Sequence, residues 1–192
     1  MPRMGLDPAR VVDAAAGIAD AEGLEAVTLT RVAGELGVRS PSLYNHVDGR
    51  SDLLRAIAVL SVRELAAALR EATVGRSGAD ALEAAAHAYR AYAHAHAGRY
   101  AATLAAPTRG DEEHRAAATE AVDVMLAVLR EWDLDDDDAV HVVRAFRSAL
   151  HGFVAIEAAE GFGMDVDVEV SFDRLVATLA GGLGEPGPVR RA

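Results

Sequence analysis

Residues 28–50 read Thr28-Leu29-Thr30-Arg31-Val32-Ala33-Gly34-Glu35-Leu36-Gly37-Val38-Arg39-Ser40-Pro41-Ser42-Leu43-Tyr44-Asn45-His46-Val47-Asp48-Gly49-Arg50, and this stretch decides the fold. Two short helical patterns flank Gly37-Val38. Val32, Ala33 and Leu36 recur at helix spacing, and Leu43 and Val47 follow four apart. Around those last two sit Ser42, Tyr44, Asn45 and His46, short or planar polar groups. A helix with only two apolar anchors presents the rest of its surface to something. Hydroxyls, an amide and flat rings suit the edge of a duplex groove.

Working outward, helix punctuation recurs along the chain. Asp7-Pro8 is a cap followed by proline at the first helical position, and Gly23 is a left-handed stop. Thr28 caps a second helix running to Leu36, and Gly37 makes the turn. Ser40 caps a third helix with Pro41 first inside it, and Gly49 ends it. Ser51 caps a fourth helix of roughly twenty residues, about 30 Å long. Asp80 opens a fifth, 98–107 reads as a short helix and a break, and 116–132 is amphipathic.

Residues 139–159 are apolar on two stripes. Val143, Phe146, Leu150 and Phe153 form one, and the smaller Ala145, Ala149, Gly152 and Ile156 form the other, so this helix needs two packing partners. Ser171 caps a last helix with Phe172, Leu175, Val176, Leu179 and Leu183 facing inward. The Pro/Gly-rich tail from Gly184 to Ala192 reads as disordered. These patterns predict an all-α chain: a three-helix segment at 5–52, a larger all-helical domain at 53–185, and a tail at 186–192.

Composition agrees with helix and narrows the partners. Of 192 residues, 51% are hydrophobic, which is ample for a core. No cysteine is present, so disulfides and thiolate metal sites are excluded. No apolar run has membrane-spanning length and no signal pattern opens the chain, which predicts a cytoplasmic protein without a membrane partner. The formal charge of −11 argues against diffuse polybasic binding to nucleic acid. Residues 1–50, however, hold five arginines against seven acids, so most of the acidity lies beyond the groove-reading segment.

Catalytic and metal chemistry find little support. There is no Gly-x-Ser-x-Gly elbow, no glycine-rich phosphate loop and no cysteine nucleophile. The run Asp135-Asp136-Asp137-Asp138 lacks the glycine and terminal glutamate of a calcium loop, and acids suit the start of a helix. No histidine pair has i, i+4 spacing. His87 and His94 share a stripe with Glu83 and Arg90, which reads as a solvated face. No metal and no cofactor is expected. The competing reading is an all-helical small-molecule-binding or hydrolytic protein with a vestigial helix-turn-helix.

The chain resembles the TetR/AcrR family of one-component transcription regulators. The likeness rests on Val27-Thr28 through Val32-Ala33, Leu36-Gly37-Val38, Pro41-Ser42-Leu43-Tyr44, His46-Val47 and Leu53-Leu54. In the second half, Arg99-Tyr100-Ala101, Arg147 through Phe153, Glu157 and Gly161-Phe162 resemble the subgroup with a His-Gly-Phe (WHG-type) regulatory domain. The likeness implies a homodimer placing two reading heads in successive major grooves of a palindromic DNA operator. It also implies a four-helix dimer interface from the last two long helices, and a small-molecule effector that releases DNA. Such a protein is most simply a repressor.

Residue roles follow, several with two readings. Asn45 suits bidentate readout of adenine. Arg39 reaches a guanine edge, a phosphate or only solvent. Ser40 and Ser42 are caps or phosphate ligands. Tyr44 packs on the backbone or a thymine methyl, and His46 bonds phosphate or holds the turn. In the family, the helix end at Thr28 also faces phosphate, and the position of Arg50 is usually basic and grips the backbone. Asp48 departs from the pattern, being an acid beside DNA. Tyr89, Tyr92, His96, Met125, Trp132, Phe146 and Arg147 line a ligand cavity or belong to plain core. His151 lines that cavity or the dimer interface, which the small stripe would share with Phe172, Val176 and Leu179.

Overall fold

The computed structural model describes residues 6–184, and among these every regular element is a helix. Helix α1 (Pro8–Glu22) starts as its punctuation predicts: the Asp7 carboxylate accepts from the Arg10 amide at 2.9 Å, and Gly23 leaves the helix at φ 87°. A 3₁₀ turn, Leu24–Ala26, leads to α2 (Leu29–Leu36), and a six-residue 3₁₀ helix, Ser40–Asn45, follows. The longer helices are α3 (Arg50–Thr73), α4 (Gly78–Ala95), α6 (Glu112–Leu129), α7 (Asp136–Ala158) and α8 (Val168–Gly181). Helix α5 (Ala97–Ala102) is short, and a 3₁₀ turn, Arg130–Trp132, extends α6. The tail expected to be disordered lies outside the described residues, apart from Gly184.

Several helix bounds differ from the sequence expectation, most of them for a capping reason. The third helix is 3₁₀ rather than α, begins without a side-chain cap, and ends at Asn45 instead of running to Gly49. Helix α3 starts at Arg50, ahead of Ser51, with Asp52 reaching back to accept from the Asp48 amide at 3.1 Å. That back-reaching carboxylate performs the service of a capping box. Helix α6 starts at Glu112 because Asp111 accepts from the His114 amide at 3.0 Å. Asp167, not Ser171, caps α8. The aspartate run starts α7: Asp135 accepts from the Asp138 amide at 2.8 Å, and the other three lie in the first turn. Acids there oppose the positive end of the helix dipole.

Two compact units are present. The first takes the chain through Glu64 together with Ala95–Ala118. Its core gathers Val11, Ala15, Ile18, Val27, Val32, Leu43, Leu53 and Ile57, all buried. Helix α5 lies so close to α1 that a Cβ on Gly98 would fall 2.0 Å from the Ala19 carbonyl atoms, so only glycine fits. Around that contact, Asp20 accepts from the Arg99 amide at 2.8 Å, and the Arg99 guanidinium reaches Glu64 at 3.0 Å. Arg55 grips Asp111 with two bonds of 2.6 and 2.7 Å, joining α3 to the start of α6.

The second unit comprises Leu65–His94 and the chain from Thr119 onward. Leu82, Tyr89, Leu150, Val154, Phe172 and Val176 are among its buried side chains. Arg90, read from sequence as part of a solvated face, is buried. Its Nε and Nη2 donate to the two oxygens of Glu157 at 2.9 and 2.5 Å, and Nη1 donates to Glu169 at 2.7 Å. The guanidinium carbon sits 4.7 Å from the centre of the Phe172 ring. The neighbouring Arg90, helped by His94, holds the Glu157 carboxyl below the usual carboxylate range. A buried cation is tolerable only with such partners.

Candidate nucleic-acid interface

Helix α2 is framed at both ends by its own sequence. Thr28 Oγ1 accepts from the Arg31 amide at 3.1 Å, and the amides of Leu29 and Thr30 precede the intrahelical ladder. At the other end Gly37 adopts φ 66°, and the Val38 amide bonds back to the Ala33 carbonyl at 3.0 Å. This six-to-one closure requires a left-handed residue, which only glycine adopts without strain. It swings the chain directly into the next short helix.

That helix is shaped by Pro41, which lacks an amide, and by Ser42, whose amide bonds to the Arg39 carbonyl at 2.9 Å in the tighter three-residue pattern. Leu43 is fully buried and Val47 is buried, so the two apolar anchors pin the segment to the first unit's core. Tyr44, at 61% exposure, and Asn45 point away from that core. Ser40, Ser42 and His46 are half-buried, while Arg39 is exposed at the leading end. Thr28 thus caps the start of α2, Arg39 and Ser40 follow the turn that ends it, and Ser42, Tyr44, Asn45 and His46 lie on the short helix and its exit.

Charge at this surface is sparse. Arg31 is held between Glu22 at 2.7 Å and Glu35 at 2.9 Å. Arg50, with its side chain 41% exposed, bends back along the chain: its Nε donates to the Val27 carbonyl at 2.8 Å and its Nη2 to the Leu24 carbonyl at 3.1 Å, with Glu25 at 3.3 Å. Sequence reasoning assigned that guanidinium to phosphate and missed its carbonyl partners. They lie 23 and 26 residues away, and no local signal marks them. Asp48 is exposed, and its amide is taken up by Asp52.

The residues expected to line a ligand cavity do not form one group. Tyr89, Tyr92, Met125, Trp132 and Phe146 are buried in the second unit, and the Trp132 indole donates to the Gly184 carbonyl at 3.0 Å. Arg147 is exposed and His151 is half-buried. His96 belongs to the first unit, where its Nδ1 lies 3.3 Å from Asp20. An open groove of about 460 Å³ runs along Arg70, Val74, Asp123, Val124 and Val128, and includes none of them.

Among the residues expected at a dimer interface, Phe172 and Val176 are 0% and 2% exposed, so they are core of their own subunit and offer no surface to a second copy. Ala145 and Ile156 are open on α7, Ala149 and Gly152 are half-buried there, and Leu179 is half-buried on α8. No cluster of metal-ligating side chains occurs among the described residues, nor any helix long and apolar enough to cross a membrane.

A capped helix, a glycine-closed turn and a short second helix pinned by two apolar anchors, with polar groups outward, define a helix-turn-helix protein. Comparison with known proteins agrees and goes further. The family model of the tetracyclin repressor-like C-terminal domain matches residues 82–179. The uncharacterized HTH-type transcriptional regulator Rv0681 of Mycobacterium tuberculosis is 39% identical over 174 residues, spanning 90% of this chain and 79% of that protein. A second uncharacterized HTH-type regulator, YobS of Bacillus subtilis, is 33% identical and 95% of each chain is covered. The fold is shared with a structure of a protein of unknown function from Rhodococcus sp. RHA1, at a TM-score of 0.81 and 23% identity, covering 96% of this chain and 98% of that one. The chain belongs to the TetR family, whose members are transcriptional regulators and not enzymes.

Proposed function

We propose that this regulator is a cytoplasmic, ligand-responsive repressor that binds a palindromic DNA operator as a homodimer and leaves it when a small-molecule effector binds. The observation that carries the reading is the segment Ser40–Asn45, pinned through Leu43 and Val47 while Tyr44 and Asn45 face outward. In this reading residues 5–52 are the reading head and 53–185 the sensor and dimerisation domain. Asn45 reads an adenine edge. Tyr44 rests its ring against the backbone or a thymine methyl. Thr28, Ser40, Ser42 and His46 hold phosphates alongside the first amides of α2.

Few free cations face this surface, so helix ends and hydroxyls supply most of the grip, with Arg39 as the main charge. The name of the matching domain family supports the repressor assignment. The stripe of Ala145, Ala149, Gly152 and Ile156 on α7, open at Ala145 and Ile156, supports pairing of two copies, because small side chains permit close approach of helices. Resemblance of the Arg147–Phe153 segment to the His-Gly-Phe subgroup supports an effector site in the second unit, with His151 near it.

The test is selection of bound sequences by the purified full-length protein from a pool of random duplexes. The reading predicts enrichment of a single inverted repeat with half-sites about one helical turn apart. Recovery of sequences without a shared repeat overturns it.

A further inference from the structure

Arg50 opens α3, yet its side chain acts on an element that precedes it by more than twenty residues. Nε donates to the Val27 carbonyl at 2.8 Å, and Nη2 donates to the Leu24 carbonyl at 3.1 Å. Both carbonyls belong to the 3₁₀ turn and exit that lead into α2, and the Val27 amide itself closes on the Leu24 carbonyl at 3.2 Å. Val27 is fully buried, and the very next residue is Thr28, the cap of α2. The guanidinium therefore bolts the entry of α2 to the start of α3. Glu25, also within 3.3 Å, is 98% exposed, so that contact is screened by water and adds little.

We propose that Arg50 serves DNA binding as a positioning residue that fixes the direction of the α2 amino terminus, and not as a phosphate ligand. This rests on the DNA-reading function proposed above. The shape of the side chain is what the task needs: a planar fork supplies two donors in fixed relation, one for each carbonyl. A lysine ammonium carries the same charge on a flexible stem and cannot hold both carbonyls in that geometry. If α2 tilts, its first amides and the Thr28 cap move with it, and the phosphate they would hold is lost together with the register of Asn45. The charge of Arg50 matters less than its fork.

Two variants of the full-length protein separate position from charge: Arg50→Lys and Arg50→Gln. Duplex affinity is measured across a salt series with the palindrome selected from the random pool, and amide exchange is followed without DNA. Both variants are expected to weaken binding about tenfold on every duplex, the scale of a lost hydrogen bond to a charged group. The slope of log affinity against log salt should stay at the wild-type value in both. Amides of residues 28–32 should exchange faster in both, while amides of the buried Ile18 and Ile57 keep wild-type protection.

A phosphate ligand gives the opposite pattern. Arg50→Lys then keeps wild-type affinity, and Arg50→Gln lowers the slope by about 0.9, the counterion release of one phosphate. That result overturns the proposal, as does unchanged exchange at 28–32 in both variants. Should the wild-type protein bind no duplex, the functional reading fails by itself, and the exchange data still decide whether Arg50 holds the entry of α2.

Discussion

The caps and turns between Thr28 and Asn45 and the cluster around Arg90 organise their polar groups in opposite ways. In the first, caps and turns are closed by neighbours three to five residues off: Thr28 on Arg31, Gly37 with Val38 on Ala33 and Gly34, Ser42 on Arg39. Side chains are thereby released to face outward. In the second, Arg90 reaches Glu157 and Glu169, 67 and 79 residues away, and its guanidinium is buried. A surface that reads another molecule keeps its polar groups unspent. A unit that must hold together spends them on itself.

The largest effect that could break this contrast is at Arg90. Arg90→Ala leaves Glu157, at 16% side-chain exposure, without its guanidinium and with only the half-exposed His94 beside it. Removing one member of a buried pair destabilises by about 3–5 kcal/mol. Urea unfolding should show that loss as a lower midpoint. A loss below about 1 kcal/mol, the range of exposed ion pairs, would make the cluster surface decoration.

Next comes Gly98. A Cβ there meets Ala19 backbone at 2.0 Å, and backbone cannot rotate aside as a side chain can. Gly98→Ala should cost roughly 1–3 kcal/mol by overpacking, although alanine is otherwise the better helix former. A variant more stable than wild type in the same unfolding assay would show that α1 and α5 are not in contact there.

A smaller, pH-dependent effect belongs to Asp111. The two bonds from Arg55, with the His114 amide, hold its carboxyl at about 2, below the ordinary value of about 4 that it has in the unfolded chain. A carboxyl depressed by folding stabilises the native state above the unfolded value, and that contribution drains away as pH falls from about 4 toward 2. The melting temperature of Asp111→Asn should therefore lie below wild type at pH 7, and the gap should narrow below pH 4. A gap that stays constant down to pH 3 would contradict the Arg55 bond as its source.

The same contrast explains which features of the fold are legible in the sequence. Helix order, the turn at Gly37 and the anchors Leu43 and Val47 were legible because capping, left-handed glycine and 3.6-residue spacing are local physics. The exact helix starts were less so. Asp167 takes the cap of α8 in place of Ser171, and Asp111 starts α6 ahead of its amphipathic stripe, because several polar residues near a helix start compete for that role. Arg90 was misread, and the carbonyl partners of Arg50 were missed, for a different reason. An arginine in a polar stripe looks solvated until its distant partners are known. Phe172 and Val176 show the reverse, since an inward apolar stripe does not say whether its cover comes from the same subunit or another.

The central claim is that the outward groups of Ser40–Asn45 read bases. It is tested most directly by measuring Asn45→Ala against a panel of duplexes carrying every single-base change in the selected half-site. Wild-type protein should discriminate at an adenine by about 1–3 kcal/mol, and the variant should lose that discrimination at this position alone. Equal weakening on all duplexes, or an unchanged profile, would contradict base readout by Asn45 and with it the assignment of this face.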